Sequence, residues 1–128
     1  EKYCISIDYE PKPMPGDWNG SGCHTNFSNH KMRNSRDKSY FIRYLANLEA
    51  SHEYHINNYG ENNDKRLTGE HETQHIDTFS FGVGDRGASI RIPNSVEDNN
   101  WNGYLEDRRP SSNCDPYTVA KLIIEAMP

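Results

Sequence analysis

Gly16-Asp17-Trp18-Asn19-Gly20-Ser21-Gly22-Cys23-His24-Thr25-Asn26-Phe27-Ser28 is the stretch on which the fold and function of the chain depend. We call it the glycine loop. It holds three glycines, two asparagines, a histidine and two aromatic residues, and it is too irregular for a helix or a plain strand. Glycines let a backbone approach a ligand closely, and asparagine and histidine supply donors, acceptors and a metal-binding nitrogen. The stretch is therefore typical of a binding loop.

The composition suits a single unit, residues 1–128, with a small core. Only 33% of the 128 residues are hydrophobic, so we expect part of a larger protein or a subunit that needs neighbours, as a first residue other than Met also indicates. A net charge of -5 argues against a nucleic-acid-binding module. No apolar run approaches the roughly 20 residues of a membrane span, so we expect no membrane partner. The three cysteines form no C-x-x-C pair, which indicates a reducing compartment and a cytoplasmic location.

Apolar periodicity predicts an α+β fold. A helix is expected from about Arg36 to about His55, after the N-cap candidates Asn34 and Ser35, and a last helix begins at the Asp115-Pro116 pair. Three strands are predicted at residues 3–8, where one face would be buried, 88–93 and 104–107. Residues 57–64 and 94–102 are predicted to be polar loops, and residues 66–81 show little regular pattern.

Several polar side chains indicate chemistry. If the elements that carry them converge, His24 and Glu106 would bind a divalent ion with nitrogen and oxygen ligands. Arginines around such an ion would suit a nucleotide polyphosphate and an acidic substrate. The alternative is that His24 is structural and the arginines form surface salt bridges.

A second pattern, His71-Glu72-Thr73-Gln74-His75, matches the H-E-x-x-H signature of zinc proteases. That function requires the motif to lie on a helix, so that both histidines share one face. No apolar i, i+3, i+4 pattern supports such a helix, and we disfavour this interpretation.

Four longer motifs, in the same order, closely resemble the C-terminal catalytic portion of eukaryotic-type glutamine synthetases. They are PKPMPGDWNGSGCHTNFS at 11–28, KRLTGEHET at 65–73, GASIRIP at 87–93 and GYLEDRRPSSNCDPY at 103–117. In that family ATP phosphorylates the side-chain carboxylate of L-glutamate, and ammonia then attacks the γ-glutamyl phosphate to give L-glutamine. The resemblance implies ATP as co-substrate and Mg²⁺ or Mn²⁺ as the metal.

The resemblance also implies roles for individual residues. The implied metal ligands are His24 and Glu106; the glutamate-binding residues are Asn19, Gly20, Arg66 and Arg108; the nucleotide-binding residues are Asn26, Phe27, Ser28, Arg86, Arg91, Tyr104 and Leu105; and the catalytic residues are Glu72 and Arg86. Glu72 matches a flap residue that closes over the acyl phosphate and takes a proton from ammonium. Arg86 and Arg91 match arginines that face the transferred phosphoryl group.

The fold implied by the resemblance is a partial antiparallel sheet with helices packed on one side, of the glutamine synthetase catalytic-domain type. The family's N-terminal domain and first catalytic strands, which supply further metal-binding glutamates, have no counterpart in the chain. We therefore expect the isolated chain to be inactive and the full-length protein to form a homo-oligomeric ring. A non-catalytic, glutamine synthetase-like binding or regulatory protein is the alternative.

Overall fold

A small mixed sheet, with helices packed against it, organises the chain. The computed structural model describes residues 2–128. The four strands are β1 (Thr25–Phe27), β2 (Phe81–Val83), β3 (Ile90–Ile92) and β4 (Leu105–Asp107), in the spatial order β1-β4-β3-β2. β4 pairs antiparallel with β1 and β3, whereas β2 and β3 run parallel. The α+β class is confirmed, and the sheet is antiparallel in two of its three pairings.

Five α-helices and one 3-10 turn complete the described chain. The helices are α1 (His30–Asn34), α2 (Lys38–Ala50), α3 (His52–Ile56), α4 (Asn94–Asp98) and α5 (Pro116–Glu125), and the 3-10 turn is Asn63–Lys65. No helix among residues 2–128 is long and apolar enough to cross a bilayer.

The two long helices follow the predicted apolar pattern. The side chain of Asp37 caps α2 by accepting a bond from the Tyr40 amide, and Asp115 caps α5 in the same way. The predicted N-cap at Asn34 and Ser35 was wrong, because Asn34 ends α1 and Arg36 has a left-handed φ of 51°. The helix predicted to reach His55 is interrupted at Ser51, where α3 begins as a separate turn.

The core lies between the sheet and these helices. Most of its members come from α2, α5 and the inner sheet face, among them Phe41, Tyr44, Leu45, Leu48, Ile90, Ile92, Leu105, Val119, Leu122 and Ile123. The hydroxyl of Tyr44 donates to the carbonyl of Ile123 at 2.6 Å, which ties α2 to α5. The interface is thus both apolar and hydrogen-bonded, and it supports the sheet from one side.

Three predictions from local pattern were wrong. Residues 3–8 form no strand, and Tyr3, Ile5 and Ile7 are 73%, 71% and 72% exposed, because no strand among residues 2–128 lies beside them to pair with their backbone. The glycine loop, predicted to be irregular throughout, contains β1. The loop predicted at residues 94–102 begins with α4, and β2 was not predicted.

Candidate functional site

The outer sheet face sets one amide, one acidic and one basic side chain side by side. In the register of the sheet, Asn26 of β1 lies opposite Glu106 of β4, which lies opposite Arg91 of β3. Successive side chains of a strand alternate between faces, so Leu105 points to the core while Glu106 points away from it. The sheet therefore sets these three polar residues side by side.

Glu106 is the centre of a charge cluster. It is only 8% exposed, and its Oε2 lies 3.0 Å from a guanidinium nitrogen of Arg91. Its Oε1 lies 3.2 Å from Nδ1 of His24 and 3.3 Å from Arg108. A buried carboxylate needs such partners to stay ionised, because desolvation otherwise favours its neutral form.

His24 is held in the neutral form that can bind a metal. Burial lowers the pKa of His24, the positive charge of Arg108 lowers it further, and Glu106 acts in the opposite direction. At neutral pH the imidazole therefore keeps a lone pair available to a metal ion.

His24 and Glu106 fit two positions of a divalent-ion site. Two ligands of one ion lie roughly 3 Å apart when each bond is about 2.1 Å long, and the 3.2 Å between the imidazole nitrogen and the carboxylate oxygen matches this separation. Within residues 2–128, no third histidine, cysteine or acidic side chain joins this pair at ligand distance. The pair is thus a partial ligand set.

A cleft of about 370 Å³ opens beside this pair. It is lined by Asn19, Gly20, Gly22, His24, Arg66, His71, Glu72, Thr73 and Arg108. All four residues predicted to bind glutamate, one predicted metal ligand and the predicted flap glutamate thus border one cavity. Their sequence positions span 90 residues, from 19 to 108, so only the fold could have brought them together.

Arg66 supports the glycine loop. Its Nε donates to Asn63, and one terminal nitrogen donates to the backbone carbonyls of Arg108, Arg109 and Pro110 at 3.2, 2.8 and 3.1 Å. Burial lowers the pKa of Arg66 to about 10, helped by the charge of Arg108, so the group stays a cation at neutral pH. These contacts are structural, and they leave the other terminal nitrogen facing Gly22.

Gly20 is required for packing in the glycine loop. A Cβ on Gly20 would lie 2.4 Å from the carbonyl oxygen of Pro11 and 2.7 Å from Cγ of Arg66. Gly20 does not have a positive φ, so the glycine serves close approach between protein segments. Gly20 also lines the first cleft, so the predicted approach of its backbone to a ligand stays a prediction.

Four of the seven residues predicted to bind the nucleotide border a second opening. Asn26, Phe27, Ser28 and Tyr104 line an open cleft of about 390 Å³. Leu105, also predicted to contact the nucleotide, is fully buried in the core and does not line this opening.

The segment 69–73, which we call the flap, lies over the first cleft. Thr73 donates through its amide and its hydroxyl to the carbonyl of Glu70, which closes a turn. The carbonyl of Glu72 accepts a bond from Arg108 at 3.2 Å, and its carboxylate lies 3.8 Å from Arg86. The flap therefore joins the catalytic candidates Glu72 and Arg86.

The flap also decides against the zinc-protease motif. His71 and Glu72 have left-handed φ angles of 53° and 59°, which a helix cannot contain. His71 pairs with Asp17 and His75 with Asp77, so the two histidines do not converge.

A buried polar network, which was not predicted from the sequence, lies next to the site. Asp107 and Arg109 are 0% and 1% exposed, and their side chains bond at 2.9 and 2.8 Å. Burial alone would raise the pKa of Asp107, but the charge and hydrogen bonds of Arg109 hold it below its usual range. His52 and His55 both contact Arg109 through a ring nitrogen. The sequence signal that could have indicated this network is the Asp-x-Arg spacing of Asp107 and Arg109 at the end of β4.

Comparison with known proteins gives consistent similarities. The chain is 52% identical over 125 residues to a glutamine synthetase of Neurospora crassa. The matched residues make up 98% of the chain and 34% of that protein. It is 50% identical over 121 residues to a cytosolic glutamine synthetase isozyme of Oryza sativa subsp. japonica, covering 94% of the chain and 34% of the relative. It is 49% identical over 127 residues to a putative glutamine synthetase of Acanthamoeba polyphaga mimivirus, covering 99% of the chain and 36% of the relative. The chain spans about a third of the length of these curated relatives. No family model matches it.

Proposed function

The chain belongs to the glutamine synthetase family, and from this premise we propose that it supplies part of a site that ligates ammonia to L-glutamate at the expense of ATP. The product is L-glutamine, formed through γ-glutamyl phosphate. The observation that carries the proposal is the cleft of about 370 Å³, which brings the glycine loop, the flap and the Glu106 cluster together.

Glutamate would bind in this cleft, between the glycine loop and Arg108. The side chain of Arg108 is 10% exposed and lies at the cleft wall, where a guanidinium can hold a carboxylate in two parallel hydrogen bonds. Asn19 and the backbone of Gly20 border the same space and offer donors and acceptors to the amino-acid end of the substrate.

ATP would bind from the second opening, where Asn26, Ser28 and Tyr104 are exposed in part. Asn26 lies in register with Glu106, so the nucleotide cleft adjoins the charge cluster. His24 and Glu106 would hold Mg²⁺ or Mn²⁺, which supplies neutralisation of the phosphate oxygens. The arginines of the cluster would add to that neutralisation, the largest protein contribution to phosphoryl transfer.

Arg91 and Arg86 are suited to the transferred phosphoryl group. The Nε of Arg91 is a buried donor without a hydrogen-bond partner within residues 2–128, so one of its donors is free for a ligand or a water. The side chain of Arg86 is 67% exposed at the flap and can follow a bound phosphate.

Glu72 is placed to act on ammonia. Its carboxylate is 57% exposed, whereas its carbonyl is fixed by Arg108, so the backbone is held while the carboxylate is free to move. A carboxylate in this position can take a proton from ammonium, and a closed flap would keep water from the acyl phosphate.

A complete site requires more than this chain. Two metal ligands are too few for firm binding of an ion that takes about six oxygen or nitrogen atoms. We therefore propose that the other ligands come from protein corresponding to the remaining two thirds of the relatives, assembled as a homo-oligomeric ring. A cytoplasmic location is part of the proposal, supported by the similarity to a cytosolic isozyme of rice.

The proposal can be tested in a hybrid protein. The matching segment of the Neurospora crassa enzyme would be replaced by this chain, and glutamate-dependent ADP release would be measured with and without ammonia. Glu72→Gln should lower the ammonia-dependent rate by about 10²- to 10⁴-fold, the usual contribution of a general base. Arg86→Gln should lower the rate by about 10²- to 10³-fold, as for loss of one donor that stabilises charge.

His75→Ala is the matched control, because His75 is an exposed histidine of the same region and borders neither cleft described above. Its rate should equal that of the unsubstituted hybrid. A folded, ATP-binding hybrid that turns over no substrate would support the non-catalytic alternative. Equal rates for Glu72→Gln and His75→Ala would refute the role of Glu72.

A further inference from the structure

A second cluster of side chains that can bind a metal lies apart from His24 and Glu106, at the edge of the first cleft, which His71 also lines. It consists of Asp17 in the glycine loop and of Glu70 and His71 in the flap, whose ligand atoms all lie within 4.8 Å of one another. The Nε2 of His71 is 3.0 Å from an Asp17 carboxylate oxygen. Asp17 and Glu70 are more than 50 residues apart in sequence, and this cluster joins their two segments.

We propose that Asp17, Glu70 and His71 form a separate site for a borderline divalent cation such as Zn²⁺, which bridges the flap and the glycine loop. One imidazole and two carboxylates are a ligand set that zinc accepts, with three protein ligands and a fourth position open to water. Bonds of about 2.0–2.2 Å in a tetrahedral ion place ligand atoms roughly 3.3–3.6 Å apart. The atoms of the cluster therefore need to move by no more than about an ångström.

The side chains can make this adjustment. The Asp17 side chain is 95% exposed, and that of His71 is 28% exposed, so neither is locked by packing. The turn formed by Thr73 and the Glu70 carbonyl holds the flap backbone at this position. Binding would therefore require small side-chain rotations and no change in backbone path.

The backbone of the flap separates this cluster from the catalytic candidates. Because His71 and Glu72 both have left-handed φ, their side chains diverge, His71 towards Asp17 and Glu72 towards Arg86. A cation at Asp17 and His71 would thus leave the Glu72 carboxylate free. It would also fix the flap to the loop that carries His24.

Positive side chains lie around the cluster, and its own ligands determine which cation it can hold. Lys12, Lys65 and Arg66 border the same cavity, whose volume is about 530 Å³. Lys12 already donates to the carbonyl of Trp18, and Arg66 is bound by backbone carbonyls. With an imidazole among only three ligands, the site disfavours Mg²⁺, which requires oxygen ligands in octahedral geometry, and favours Zn²⁺.

The test is zinc binding to the 128-residue chain, measured by calorimetry with ZnCl₂ alone in a buffer that does not chelate. The unsubstituted chain should bind one zinc ion, and this binding should depend on the side chains of Asp17, Glu70 and His71. His71→Asn should weaken binding by at least about tenfold, since even supporting groups around a metal contribute about 10- to 100-fold. Asn tolerates the left-handed φ at that position, so the fold is kept. Asp17→Asn should have a similar effect.

Two controls separate this site from others. His75→Ala removes a nearby exposed histidine, and His24→Ala removes the proposed metal ligand of the first cleft. Both variants should bind zinc as tightly as the unsubstituted chain. A zinc-dependent rise in melting temperature should be lost in His71→Asn and kept in both controls. The proposal is overturned if no zinc binds at 100-fold excess, if binding survives in His71→Asn, or if it is lost in His24→Ala.

Discussion

Replacing Asp107 by Asn should destabilise the chain more than any other single change of equal size. The carboxylate is fully buried, and it accepts bonds from the amide and the guanidinium of Arg109 and from the hydroxyl of Tyr59 at 2.8 Å. The Asn side chain has nearly the same volume, so the change removes mainly the negative charge. It leaves the Arg109 guanidinium, which is 1% exposed, without a counter-charge.

The expected loss of unfolding free energy is about 3–5 kcal/mol, the usual effect of breaking a buried ion pair from one side. The hydrogen bonds to the carboxylate lead to a loss of similar size. Each bond to a charged group contributes about 1.5–3 kcal/mol, and the contributions of four bonds to one carboxylate do not simply add. With a urea m-value of about 2 kcal/mol/M, the unfolding midpoint should fall by roughly 2 M.

The assay is urea unfolding of the chain, followed by circular dichroism and tryptophan fluorescence. The control is Asp98→Asn, an exposed acidic residue in α4 that should change stability by less than about 0.5 kcal/mol. In a double-mutant cycle, Asp107→Asn with Arg109→Met should be less destabilised than the sum of the single changes. A loss for Asp107→Asn no larger than for Asp98→Asn would refute the reasoning.

Two further predictions concern stability. Burial, together with the charge of Arg109, lowers the pKa of His55 from 6.5 to about 4, so the unfolded state binds the extra proton between these values. The contribution of His55 to the free energy of unfolding should therefore be fully present above pH 6.5 and fall as the pH drops towards 4, by at most about 1.36 kcal/mol per pH unit. His55→Gln should flatten the plot of unfolding free energy against pH. An unchanged plot would contradict a lowered pKa for His55. Gly20→Ala should cost about 1–3 kcal/mol, because its Cβ would lie 2.4 Å from the Pro11 carbonyl oxygen, whereas a Cβ at Gly87 would meet one atom at 3.4 Å. Equal melting temperatures for Gly20→Ala and Gly87→Ala would show that the glycine loop is not tightly packed.

The sequence predicted the two long helices, α2 and α5, because their signals are local. Asp115 and Pro116 mark the start of α5, and the apolar residues of α2 recur at helical spacing. The alternation at residues 3–8 predicts which side chains would share a face, but a strand also needs a neighbour, and none lies beside it within residues 2–128. For the same reason β1 was missed, since its partner β4 is about 80 residues away.

The candidate site could be predicted only in part. The resemblance identified His24 and Glu106, and the structure brings them within 3.2 Å. Their arginine neighbours could not be assigned from spacing, because the contact of Arg91 with Glu106 depends on the register of β3 against β4. The Asp107 and Arg109 pair has no periodic signature, because it depends on the burial of a strand end under α3.

The roles proposed for both clefts require that this chain carry a working part of a glutamine synthetase site. The most direct measurement is incorporation of ¹⁵N-ammonium into the amide of glutamine by the Neurospora crassa hybrid, with ATP, glutamate and Mg²⁺. We expect labelled glutamine from the hybrid, and none from the isolated 128-residue chain under the same conditions. A hybrid that folds and assembles like its parent but forms no labelled glutamine would contradict the claim, and labelled glutamine from the isolated chain would contradict the incomplete ligand set at His24 and Glu106.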